Sequence, residues 1–153
     1  MARLPDALER RTILYGKPRK PVDFQALGDD YRAAGRLSDA CEAYEKIPAE
    51  DARRARIADL KAQAIGEGDY FVLHRIDARG EALSAEEWRA ACEKARAQGK
   101  LRYAHKCALR LADPALVAEL EEALGIARPL EADEDQGADA AAEDGDPPPS
   151  TDS

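Results

Sequence analysis

Between residues 21 and about 112, apolar positions recur every three or four residues in runs separated by short polar turns, which is the period of one helix face. Gly35, Gly68 and Gly99 each follow one such run and precede another, at intervals of 33 and 31 residues. Their turns read AAGRLSDA, GEGDYFVL and AQGKLRYA. Each puts Gly at a helix C-terminus, where a left-handed backbone is cheap only for Gly or Asn. The pattern predicts an all-α chain: a short α-solenoid of about three antiparallel helix pairs with a C-terminal cap helix, filling residues 21–125.

Local signals sharpen these elements. Ser84 with Glu87 predicts a capping box ahead of Trp88, and Ser38 is expected to begin a helix before Cys41 and Tyr44. Asp113-Pro114 marks a restart, with Asp as N-cap and Pro at the first helical position. The run PALVAELEEALG then sets Leu116, Leu120 and Leu124 on one face and stops at Gly125, as a helix closing a stacked array should. At the other end, Leu4, Leu8, Ile13 and Leu14 predict a short amphipathic helix closed by Gly16, followed by the Pro-interrupted connector GKPRKP.

Charge divides the chain more sharply than hydropathy does. The whole sequence holds 31 acids and 23 Lys or Arg, a formal net charge of −8. Nine of those acids and none of those bases fall in residues 131–153, leaving 22 acids against 23 bases before them. The body is therefore nearly neutral, which argues against the basic footprint that phosphate binding requires and so against a nucleic-acid partner. Residues 1–20 form a basic segment. Residues 126–153, acidic and Pro-rich with almost no large apolar group, are expected to be a disordered tail, because they bury too little to offset the entropy of ordering.

Candidate chemistry is thin. Cys41, Cys92 and Cys107 form no C-x-x-C pair and sit inside Ala-rich helical patterns, where a reduced thiol is a small apolar filler. His74 and His105 lie on the second helices of their pairs, and His105 and Cys107, two residues apart, point to different sides of one helix. No phosphate-binding, dinucleotide-binding, zinc-protease or nucleophile-elbow motif occurs. Neither catalysis nor a cofactor is expected. No signal-peptide core and no run of about 18 apolar residues is present, so the chain reads as soluble and cytoplasmic with no membrane association. High Ala, Arg and Asp usage points to a bacterial source with GC-rich coding.

The spacing Phe24-x-x-Leu27-Gly28-x-x-Tyr31, then Ala40-x-x-x-Tyr44, resembles the tetratricopeptide repeat, a family of helical-hairpin arrays. The third unit follows it through Trp88, Ala91, Cys92, Ala95, Gly99, Ala104 and Ala108. The second departs from it: Leu60, Ala64 and Gly68-Asp69-Tyr70 keep the register, but Lys61 replaces a small residue and Leu73 replaces the small Ala. In all units Gly and Ala would let paired helices approach while large residues fill the wedges between pairs.

The resemblance implies a concave face lined by the first helix of each pair, on which a partner's peptide or helix is held. By position that face takes Gln25, Asp29 and Arg32 from the first unit, Ala58, Ala62 and Ile65 from the second, and Arg89, Glu93 and Arg96 from the third. It predicts an apolar floor between charged rims, suited to an amphipathic helix. The Lys and Asn with which some family members grip a chaperone's C-terminal carboxylate are absent, since Gln25, Asp29, Ala58 and Ala62 stand there. The expected function is a non-catalytic adaptor or scaffold for protein partners. The alternative is binding of RNA or an acidic surface through Arg10, Arg11, Lys17, Arg19 and Lys20, with the helices as scaffold.

Overall fold

A computed structural model describes residues 3–126 of the chain. Among the described residues it is all-helical: α1 (Ala7–Tyr15), α2 (Phe24–Ala33), α3 (Leu37–Glu45), α4 (Glu50–Glu67), α5 (Tyr70–Ala78), α6 (Ala85–Ala97), α7 (Leu101–Leu111) and α8 (Pro114–Leu124). No helix among them is long and apolar enough to cross a membrane. The acidic segment expected over 126–153 lies, apart from Ile126, outside the described residues.

Five of the eight helix starts among the described residues follow side-chain capping, and α3, α4 and α7 have no side-chain cap. Asp23, Asp69 and Asp113 each accept a hydrogen bond from the backbone N–H three residues on, and Ser84 and Glu87 form the expected capping box. A second box, Asp6 with Glu9, starts α1. Ser38 does not begin α3. That helix starts at Leu37 with Arg36 in the capping position and no side-chain hydrogen bond, so the turn at Gly35 and the burial of Leu37 set its start. Gly35, Gly68 and Gly99 take φ of +74°, +62° and +72°, as the turns between helices require.

Helix pairs adjacent in sequence from α2 onward pack in space, α5 meeting α6 through the Tyr70 and Trp88 rings, and α4 also packs on α2 and α6. The core runs continuously through them: Tyr31, Leu37, Ala40 and Tyr44, then Leu60, Leu73 and Ile76, then Trp88, Ala91, Ala104 and Ala108, and finally Leu120 of α8. Small residues set the spacing within this core. A Cβ added to Gly28 would stand 2.3 Å from the Tyr44 ring, and one added to Gly68 would stand 2.5 Å from the Ala95 backbone nitrogen.

Ion pairs join the helices at their flanks. Arg75 of α5 clasps Glu45 of α3 through two bonds of 2.8 and 2.7 Å and reaches Glu42 at 3.1 Å. Burial alone would raise the Glu45 carboxyl, but hydrogen bonding and charge from Arg75 outweigh it and hold the group below its ordinary value. The basic segment at the N-terminus joins this network: Arg10 pairs with Asp39 at 2.7 Å and with Glu42, Leu14 is buried, and Lys46 sits over the Tyr15 ring. Helix α1 is thereby held against α3.

Candidate partner-binding face

Helices α2, α4 and α6 each leave a stripe outside the core. On α2, Gln25, Asp29 and Arg32 are half-buried; on α4, Ala58 and Ala62 are exposed and Ile65 is half-buried; on α6, Arg89, Glu93 and Arg96 are exposed. The stripe exists because another face of each helix supplies the core: Gly28 and Tyr31, Ile57, Leu60 and Ala64, and Trp88, Ala91, Cys92 and Ala95 are all buried.

The structure gives part of this stripe a second task. The Tyr44 hydroxyl donates to Asp29 Oδ1 at 2.6 Å, and the other carboxylate oxygen of Asp29 pairs with Arg56 at 3.3 Å. Burial, reinforced by this hydrogen bond to a carboxylate, pushes the Tyr44 phenol up to about 12. Arg32 Nε donates to Gln63 Oε1 at 2.6 Å, and the Gln63 amide donates onward to Glu67. Asp29, Arg32, Ala33, Arg56 and Gln63 together line an open hollow of about 470 Å³. The seam between α2 and α4 is therefore polar, and its α4 half consists of Arg56 and Gln63, which are not among the residues expected on this face. Their spacing of seven residues puts them on one helical stripe, so helix periodicity was a signal that could have found them.

At the other end, Arg89, Glu93 and Arg96 line a hollow of about 390 Å³ with Cys92, Asp113, Ala115, Leu116 and Glu119. Arg96 pairs with Glu119 of α8. These α6 residues thus face α8, with Ala115 and Leu116 as the apolar wall. Among the described residues no hydrogen bond or ion pair joins α1 to this stripe.

The other sequence candidates lie elsewhere. His74 stacks on Tyr70 at 5.5 Å between centroids, and His105 Nε2 lies 3.3 Å from Glu121. Cys41, Cys92 and Cys107 are buried free thiols; burial pushes Cys41 and Cys107 up to about 12 and raises Cys92. Of the basic residues near the N-terminus, Arg10 is engaged with α3, while Arg11, Lys17, Arg19 and Lys20 are exposed. Among the described residues no group of three or more His, Cys, Asp or Glu comes together as metal ligands. No family model, no curated protein and no solved structure matches this chain.

Proposed function

We propose that this chain is a non-catalytic interaction module: three antiparallel helix pairs, α2–α3, α4–α5 and α6–α7, stacked as a short tetratricopeptide-like α-solenoid and closed by α8. Its face of α2, α4 and α6 holds a helix or extended peptide of a protein partner. The observation that carries the reading is the exposure of Ala58 and Ala62 on α4, a helix that packs on α2, which bears Asp29 and Arg32, and on α6, which bears Arg89, Glu93 and Arg96. Small side chains let a partner helix approach closely, and flanking charges of both signs fix its direction. The fitting partner carries an apolar stripe bordered by both acids and bases.

The test is affinity purification of the tagged protein from its own organism, with Ala62→Glu beside wild type and Glu81→Ala as a control away from the stripe. The expected result is a partner retained by wild type and control and reduced at least tenfold by Ala62→Glu, about 1.4 kcal/mol or more. The same partners recovered in equal amounts from all three would overturn the assignment of this face.

A further inference from the structure

We propose that the acidic C-terminal segment of this chain, residues 127–153, binds in cis to a basic and aromatic face built by α5 and α7, which shares no residue with the α2–α4–α6 stripe. The proposal does not depend on the function assigned to that stripe.

Helix α7 reads LRYAHKCALRL and contains Arg102, Lys106 and Arg110 but no acid. Spaced by four, these bases share one helix face. Arg110 is committed to Asp77 and lies over the Trp88 ring, 5.1 Å from its centroid. Arg102 and Lys106 are exposed, and among the described residues neither pairs with a carboxylate. Beside them lies an aromatic cluster. Phe71 is 52% exposed and packs edge-on against Tyr103 at 5.4 Å. The Lys106 ammonium stands 5.5 Å from the Tyr70 centroid and 5.8 Å from that of Phe71. The patch therefore offers two cations and an apolar ring surface side by side.

The chain leads its own acidic end to this patch. Leu124, at the close of α8, lines a hollow of about 460 Å³ together with Gly99, Lys100, Leu101, Arg102 and Tyr103. Residues 127–153 thus begin within reach of Arg102. They contain nine carboxylates against one base, Arg128. Leu130 is followed closely by Glu131, Asp133, Glu134 and Asp135, an apolar residue and four acids in six positions. Six extended residues span about 20 Å, and eleven helical residues about 16 Å, so this stretch is long enough to run the length of α7. Leu130 matches Phe71 and Tyr103, and the acids match Arg102 and Lys106. Each exposed ion pair is weak, but a short tether supplies millimolar effective concentration. The α2–α4–α6 stripe is a poorer host because Asp29 and Glu93 stand among its arginines.

The test is paramagnetic relaxation in the full-length protein, with a nitroxide on Ala138→Cys; the native thiols are buried and do not compete for the label. At low salt, the amides of Phe71, Tyr103 and Lys106 should lose more than half their intensity. The loss should reverse at about 0.5 M salt, where the Debye length is about 4 Å. It should also vanish in Arg102→Glu/Lys106→Glu, whose remaining amide spectrum verifies the fold; Arg102→Gln/Lys106→Gln replaces it where that spectrum changes. Broadening centred on α2, α4 and α6 would overturn the proposal, as would broadening confined to Leu124–Ile126. Broadening seen only between a labelled copy and a separate isotope-enriched copy would overturn it in favour of association between chains.

Discussion

Gly28 and Tyr44 touch so closely that the ring of one occupies the place where the other would carry a side chain: an added Cβ would lie 2.3 Å from Tyr44 Cε1 and 2.4 Å from Cδ1. Tyr44 is fully buried and tied to Asp29 through its hydroxyl, so the ring has little room to withdraw. Gly28→Ala gains about 1 kcal/mol of helix propensity but overpacks this contact by about 1–3 kcal/mol. The expected net result is a loss of up to about 2 kcal/mol in urea unfolding. In a Tyr44→Ala background the clash is gone, and Gly28→Ala should become stabilising.

The buried tyrosines of α2 and α3 should respond differently to loss of the hydroxyl. Tyr44→Phe leaves Asp29 without its phenol donor and is expected to cost about 1–2 kcal/mol. Tyr31 is equally buried, but its hydroxyl has no hydrogen-bond partner among the described residues, so Tyr31→Phe should be neutral or slightly stabilising. Denaturation midpoints of the two variants, measured side by side, check the contrast.

Gly68 and Gly99 share a left-handed backbone but not an environment. A Cβ at Gly99 meets nothing within 4 Å, so Gly99→Ala pays only for φ, about 1–2 kcal/mol. A Cβ at Gly68 would also collide with the Ala95 backbone at 2.5 Å, and backbone cannot rotate aside as a side chain can. Gly68→Ala should therefore destabilise by at least about 1 kcal/mol more than Gly99→Ala. Equal thermal shifts for the two would contradict this packing.

Alkali should weaken the fold in a defined window. Burial raises the thiols of Cys41 and Cys107 from 9.0 to about 12, whereas the unfolded chain ionises near the ordinary value. Below pH 9 both states hold the proton and the contribution is constant. Above it the unfolded state alone releases protons, so stability falls as pH rises from about 9 toward 12. Cys107→Ala should flatten the decline in urea midpoint across that window, and the native thiols should resist alkylation at pH 8.

What could be read from the sequence was what local chemistry decides. The Gly35, Gly68 and Gly99 turns, the caps at Ser84 and Asp113 and the α1 helix closed by Gly16 depend on a few neighbouring residues, and all lie where they were expected. Ser38 misled because a capping residue type also occurs inside a first turn. The polar bonds across helices were not legible: Arg10 to Glu42, Arg32 to Gln63, Arg75 to Glu45 and Arg110 to Asp77 depend on the register between helices. These partners lie 32, 31, 30 and 33 residues apart, close to the spacing of the turn glycines. Complementary polar residues separated by one such interval were the signal available for them. Arg56 and Gln63 were not legible as site residues because they occupy the flank of α4 turned toward α2, beside the stripe of Ala58, Ala62 and Ile65.

Helix α4, the longest among the described residues, packs against α2, α3, α5 and α6. Contacts between the α2–α3 side and α6 therefore run through α4. Damage within α4 is transmitted in both directions, while damage confined to α8, which packs on α7, loosens one end first.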